Sequence, residues 1–183
     1  HSVNDALKCG VSVVYQELNL MPQLTVAENI YLHSLPTKGG LVDKATMNKA
    51  AQDLLDGMGL SSIKATDTIN MLSVSQQQIE IAKALSHDAP IVIMDEPTAA
   101  LNITEVDTLY EIIRNLKRKG KTVIYISHRM KEIFDVTDRI SILRDGHYID
   151  TCNTADITQS DLVAKMVGRQ ISEFYTTADH AYG

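Results

Sequence analysis

The amino-acid sequence predicts an α/β fold, and three observations carry that expectation. Apolar, β-branched runs alternate with segments of helical period along most of the chain. One run, Ile91-Val92-Ile93-Met94, is short and wholly apolar, the pattern of a parallel strand buried on both faces. The 183 residues, 44% hydrophobic and 22% charged, suit one domain able to bury a core.

The elements follow in order. Residues 11–15 read as a strand after Gly10. Residues 26–32 read as a short helix, with Thr25 as N-cap and Glu28 at capping-box spacing. Paired glycines make residues 37–40 a loop. Residues 47–58 set Ala50, Ala51, Leu54, Leu55 and Met58 at helical spacing, with Gly57 and Gly59 as stops. Ile79, Ile81, Ala82 and Leu85 mark a core-facing helix whose N-terminus carries Ser73 and Ser75, and residues 90–94 form the next strand. In residues 105–119, Val106, Leu109, Ile112, Ile113 and Leu116 repeat on one helix face. There Thr104 and Asp107 resemble a capping pair, three basic residues suit the negative end of the dipole, and Gly120 is the stop. A strand over 122–126 and a helix over about 130–136 come next. Asp145-Gly146 then turns a hairpin between Ile140 and Ile149. A last helix over 160–167 closes at Gly168, and residues 169–183 read as a linker or tail.

Seventeen basic and 23 acidic residues leave a net charge of −6, against a dedicated nucleic-acid binder. No apolar run approaches the ~20 residues of a membrane-spanning helix. Cys9 and Cys152 stand far apart, with neither a disulfide framework nor a metal-ligand spacing. The chain starts at His1 rather than Met, with no signal-peptide pattern, and is expected to be a fragment.

Four local features can carry chemistry. Asp95 and Glu96 end a buried strand, where ligands of open α/β sheets bind. Period-two geometry sends the two carboxylates in different directions, so one can orient Mg²⁺ and the other can polarise an attacking water. Ser73 and Ser75 stand at a helix N-terminus, suited to an anion or to plain capping. His128 ends the strand after the long helix, on the rim shared with Asp95 and Glu96, within reach of a phosphate or a water. Gln16, also at a strand end, offers an amide to a metal or a water.

In this order the features resemble the ATPase domain of ATP-binding-cassette (ABC) transporters. Gln16 resembles the Gln loop, Leu72-Ser73-Val74-Ser75-Gln76 the signature, residues 91–96 the Walker B strand, residues 99–102 the D-loop and His128 the switch histidine. Gln16-Glu17-Leu18-Asn19-Leu20, Glu80-Ile81-Ala82-Lys83-Ala84 and Tyr125-Ile126-Ser127-His128 further resemble the monosaccharide-import subfamily, with galactose/methylgalactoside importers looking closest. The resemblance implies a P-loop NTPase-like ABC ATPase domain, incomplete, over residues 1–168, with a helical signature subdomain over about 25–88.

It also implies ATP and Mg²⁺ as cofactors. Glu96 would be the general base, Asp95 would hold Mg²⁺ directly or through its waters, and His128 would meet the γ-phosphate. Gln16 would couple the metal site to the membrane subunits, while Ser73, Ser75 and Gln76 would act on ATP held by a partner domain. The implied partners are transmembrane permease subunits, a second ATPase domain (fused or in trans) and, indirectly, a periplasmic sugar-binding protein. The implied location is peripheral, on the cytoplasmic face of the inner membrane, with no nucleic acid involved. A soluble ABC ATPase of DNA repair or translation, and a non-catalytic ABC-like module, are the alternatives.

Three departures from the family pattern stand out. Val74 and Ser75 replace two signature glycines, and Asn102 replaces the D-loop aspartate. The third concerns the P-loop pattern, Gly, four residues, then Gly-Lys-Ser/Thr, which these residues do not contain. Gly120-Lys121-Thr122 is a decoy, because Asn115 stands where the first glycine is needed and the segment leads from helix into strand. The 183-residue chain alone is therefore expected to bind ATP weakly or not at all. Titration calorimetry checks this, and nanomolar or low-micromolar affinity would overturn it.

Overall fold

The structure, a computed structural model, describes residues 3–72 and 76–168. The chain divides between His128 and Arg129 into two compact units.

The first unit is built on a parallel sheet. A short helix, α1 (Val3–Lys8), leads through Gly10 into β1 (Val11–Val14). Gly10 has φ +80° and a Cβ there would come within 2.9 Å of the Pro90 ring, so both conformation and space call for glycine. β1 pairs in parallel with β4 (Ile91–Asp95), which pairs in parallel with β5 (Thr122–Ile126). The order β1-β4-β5 means that both crossovers step the same way across the sheet. Right-handed crossovers then put all the connecting helices on one face.

Those helices are α2 (Val26–Tyr31), α3 (Lys44–Gly57), α4 (Gln76–Leu85) and α5 (Ile103–Arg118). α4 packs on α2 and β1, α3 on α2, and α5 on β5. A cavity of about 180 Å³ has Leu54, Leu85, Val92, Ile112 and Leu116 in its wall, so α3, α4 and α5 meet on the face that Val92 presents. Ile30, Leu55, Ile79, Ile81 and Met94 there have no exposed surface. Burying each such side chain contributes about 1.5–3 kcal/mol.

The opposite face of the sheet corrects one expectation. Residues 91–94 are buried on one side only: Val92 and Met94 are covered, while Ile91 and Ile93 are half-exposed. On β5, Ile124 and Ile126 are each 46% exposed. A continuous apolar run shows that a strand can be buried twice, but helices arriving by same-handed crossovers cover it once.

Local chemistry explains most element ends. Thr25 and Glu28 form the expected capping box on α2. α5 is capped by Asn102 with Glu105 rather than by Thr104 with Asp107, because Asn102 is the residue in extended conformation before the first turn. Residues 37–40 are not a plain loop. Gly39 and Gly40, both at positive φ, turn a small hairpin of β2 (Thr37–Lys38) and β3 (Leu41–Val42). Lys121, of the decoy tripeptide, donates from Nζ to Asp88 O (2.9 Å), Ala89 O (2.9 Å) and Asp88 Oδ1 (2.7 Å), pinning the turn before β4 to the start of β5.

The second unit holds α6 (Met130–Val136), an antiparallel hairpin of β6 (Arg139–Arg144) and β7 (His147–Asn153), and α7 (Gln159–Val167). Asp145 and Gly146 turn the hairpin at positive φ. Ile140, Ile142 and Leu162 form its core, with Ile133, Phe134 and Ile157 packed against them. Thr158 caps α7 and Gly168 ends it in left-handed conformation. The expected linker at 169–183 lies outside the described residues.

His33, just past α2, and His87, just past α4, stack with ring centroids 3.7 Å apart. Burial lowers the pKa of both, with the charge of His87 next for His33 and that of Lys83 adding to each. The unfolded chain therefore binds protons that the folded chain resists. The stability present above the ordinary histidine value of 6.5 is lost as pH falls through the depressed folded values. The urea midpoint is expected to drop between about pH 7.5 and about pH 5.5, and His87→Asn is expected to flatten that drop. Equal slopes in the two proteins would show that the pair does not contribute.

Candidate functional site

The carboxyl edge of the sheet assembles the site. β4 and β5 run parallel with Asp95 opposite Ile126, so the residues that follow each strand leave side by side. The Glu96 N–H donates to Ile126 O at 3.0 Å, extending the ladder one residue past the strand. The backbone of Glu96 then turns at φ +47°, a left-handed conformation that L-residues with a side chain rarely adopt. Ala99 N donates to Glu96 O at 3.1 Å and closes the turn, with Pro97 and Thr98 buried beneath it.

This turn aims the Glu96 side chain along the rim at the end of β5. Its Oε1 accepts the His128 backbone N–H at 3.2 Å and lies 2.7 Å from His128 Nδ1. An ionised carboxylate only accepts, so in that state Nδ1 carries a proton and Nε2 serves whatever approaches. The Glu96 side chain is 17% exposed and that of His128 78%. A sheltered carboxylate fixed at one oxygen, with an accessible imidazole beside it, is a disposition that can take a proton from a water.

The other expected site residues fall as follows. Asp95, the last residue of β4, is half-buried, and strand alternation sets it on the less covered face with Ile91 and Ile93. Gln16 is exposed two residues past Val14, which pairs with Met94, so it stands on the same rim. Gln76 is half-buried at the first position of α4, on the helical side of the sheet. Ser73 and Ser75 lie outside the described residues. Among the described residues no three His, Cys, Asp or Glu side chains cluster as a metal cage. None of the described helices is long and apolar enough to cross a membrane.

Sequence reasoning passed over two residues that order this edge. Asn29, 1% exposed, accepts the Met21 N–H at Oδ1 (2.7 Å) and donates to Met21 O (3.1 Å). Glu80, 7% exposed, accepts the Asn19 N–H at 2.6 Å. The one signal of Glu80 was a charge between Ile79 and Ile81 on a core-facing helix.

The sequence profile described as ABC transporter matches residues 2–99, more than half of the chain. The chain belongs to the ABC transporter family. Among members of this family, the arabinose import ATP-binding protein AraG of Vibrio parahaemolyticus is 45% identical over 100% of the chain and 36% of its own length. The ribose import ATP-binding protein RbsA of Yersinia pestis is 45% identical over 93% of the chain and 34% of its own length. A Burkholderia ambifaria ATP-binding protein named for ribose, galactose and methyl galactoside import is 45% identical over 95% of the chain and 34% of its own length. The chain thus spans about a third of the length of the curated relatives it matches. Equal identities to the three do not single out the galactoside importers. The chain shares the fold of a nucleotide-free ATP-binding cassette from an ABC transporter (TM-score 0.71, 18% identity, 97% of this chain and 72% of that one). It also shares that of a cassette in its ADP conformation (TM-score 0.70, 20% identity, 96% and 71%). The mixed α/β architecture with a parallel sheet is that of ABC ATPases.

Glu96→Asn and Glu96→Val both delete the carboxylate, but only Asn tolerates the left-handed backbone. Urea unfolding is expected to find the Val variant about 1 kcal/mol less stable. Equal stabilities would show that position 96 carries no strain.

Proposed function

We propose that this chain belongs to the ATP-hydrolysing subunit of an ABC importer that energises uptake of a monosaccharide, galactose or a methylgalactoside by the sequence resemblance. The single observation behind this reading is the Glu96–His128 pair on the strand rim beside Asp95. The names of the relatives support sugar import as its class.

In this reading Glu96 accepts the proton of the water that attacks the γ-phosphorus of ATP, and His128 holds the phosphoryl oxygens from Nε2. Positioning and charge stabilisation supply most of the rate, as in other phosphoryl transfers. Mg²⁺ normally takes one or two carboxylates and fills its remaining sites with phosphate oxygens and waters. Asp95, a half-buried carboxylate at the rim, and Gln16 would fit that sparse donor set. When bound, the ion would neutralise charge on the phosphates. Ser73, Ser75 and Gln76 act on ATP held by a second ATPase domain.

The phosphate-gripping loop is supplied by another part of the protein. The chain's share of its relatives' length and the thinly covered apolar face bounded by Asp95 support this. Residues 1–168 then form most of one nucleotide-binding domain, with its helical subdomain at about 25–88 and a linker at 169–183. The partners are transmembrane permease subunits on the cytoplasmic face of the inner membrane and, through them, a periplasmic sugar-binding protein.

The test uses the complete protein. Glu96→Gln keeps the shape of the side chain and its hydrogen-bonding oxygen but loses the base. ATP hydrolysis is expected to fall by about 10²–10⁴ while MgATP still binds. Hydrolysis at the wild-type rate in that variant would overturn the reading.

A further inference from the structure

The segment between β1 and α2 has no regular structure, yet it is held at successive points by side chains from helices. At Asn19 both backbone groups are taken by one turn of α4. Glu80 Oε1 accepts the Asn19 N–H at 2.6 Å, and Lys83 Nζ donates to the Asn19 carbonyl at 3.0 Å. Lys83 Nζ also lies 3.5 Å from Glu80 Oε2, which closes a three-membered polar ring around one peptide position. The Asn19 side chain then donates from Nδ2 to the Glu17 carbonyl at 3.2 Å, immediately after Gln16.

A bonded path thus runs from α4 to the residue beside Gln16. Its helix end is placed with equal economy. Gln76 and Glu80 are four apart and Glu80 and Lys83 three apart, so all three share a face of α4. Only residues 15–18 separate Asn19 from the end of β1. A loop of that length, fixed in the sheet at one end and on the helix at the other, has little freedom to move apart from either.

Burial says the clamp is a commitment. Glu80 is 7% exposed, and a carboxylate withdrawn from water is tolerated only where hydrogen bonds and an opposite charge replace the lost hydration. Asn19 and Lys83 supply both. A surface glutamate on a helix needs neither.

We propose that Glu80, with Lys83, is a positioning residue that ties the loop bearing Gln16 to the helix that begins at Gln76, so that the two move as one body. The consequence for hydrolysis rests on the function proposed above, whereas the tie itself does not. Under that reading Gln16 serves the ATP on its own domain and Gln76 serves the ATP on the partner domain. The clamp would then make the state of one site felt at the other.

The experiment compares Glu80→Ala, Glu80→Gln and Lys83→Met with wild type in the full-length protein, by amide hydrogen exchange and by MgATP hydrolysis. Glu80→Ala removes the acceptor. The Asn19 amide is expected to exchange at least about tenfold faster, with α4 amides unchanged, and kcat to fall about fivefold at a KM for ATP within about twofold of wild type. Glu80→Gln keeps an acceptor oxygen and is expected to restore both, and Lys83→Met to give an intermediate exchange rate. Unchanged exchange at Asn19 in Glu80→Ala would overturn the proposal. So would faster exchange along the whole of α4, which marks a merely structural role, or a Gln variant as impaired as Ala despite wild-type exchange at Asn19. A wild-type protein that hydrolyses no ATP would instead overturn the functional reading, and the exchange rates would still decide the clamp.

Discussion

The parallel pairing of β4 with β5, in the register that sets Asp95 opposite Ile126, is the constraint on which the rest of the edge depends. Side chains alternate along a strand, so register fixes both the face each residue takes and its neighbour at the strand end. With this register the Glu96 N–H reaches Ile126 O, and the left-handed turn that follows directs the carboxylate at His128. A slip of one residue would carry His128 off the Glu96 carboxylate and turn the alternate side chains of one strand to the other face. Val92 and Met94, which have almost no exposed surface, hold the register because that exchange would put half-exposed Ile91 and Ile93 in their place.

The same topology leaves the sheet unequal on its two sides. Both crossovers are of one hand and direction, so the helices share the Val92 face and the other face shows Ile124 and Ile126. Parallel sheets otherwise have both faces covered. Asp95 belongs to the less covered face by alternation, so the carboxylate and the apolar strip lie on the same side of the sheet. That is also where the proposed function needs the phosphate-gripping part of the protein to come.

Long connections are normally the least ordered parts of a domain. Here the connection after β1 is held by polar side chains, those of Asn29 and Glu80 buried, rather than by a ladder. Asn29 takes both backbone groups of Met21, while Glu80 and Lys83 share those of Asn19. Each buried polar group would be costly alone and is satisfied by the backbone it captures. The cost of burial and the order of the loop are therefore one fact, and the loop holds its course without secondary structure.

How much was legible in the sequence depended on the range of the interaction. The Thr25–Glu28 capping box and the Asp145-Gly146 hairpin turn are local and were legible as residue patterns. At α5 the expected Thr104–Asp107 pair gave way to Asn102 with Glu105, because Asn102 is the residue in extended conformation before the first turn. The bond from the Asn19 N–H to Glu80 spans 61 residues, and no local pattern announces it. Lys121 was legible as no part of a phosphate loop, but not as the residue whose three acceptors lie at Asp88 and Ala89. By itself the sequence determined the alternation of strands and helices, the order of the motifs and the family they belong to, because periodicity and short motifs are written in neighbouring residues. The meeting of Glu96 with His128, the one-sided cover of the sheet and the capture of Asn19 by α4 were decided only by tertiary structure. Each depends on which distant segments pair and in what register, and no local period encodes that.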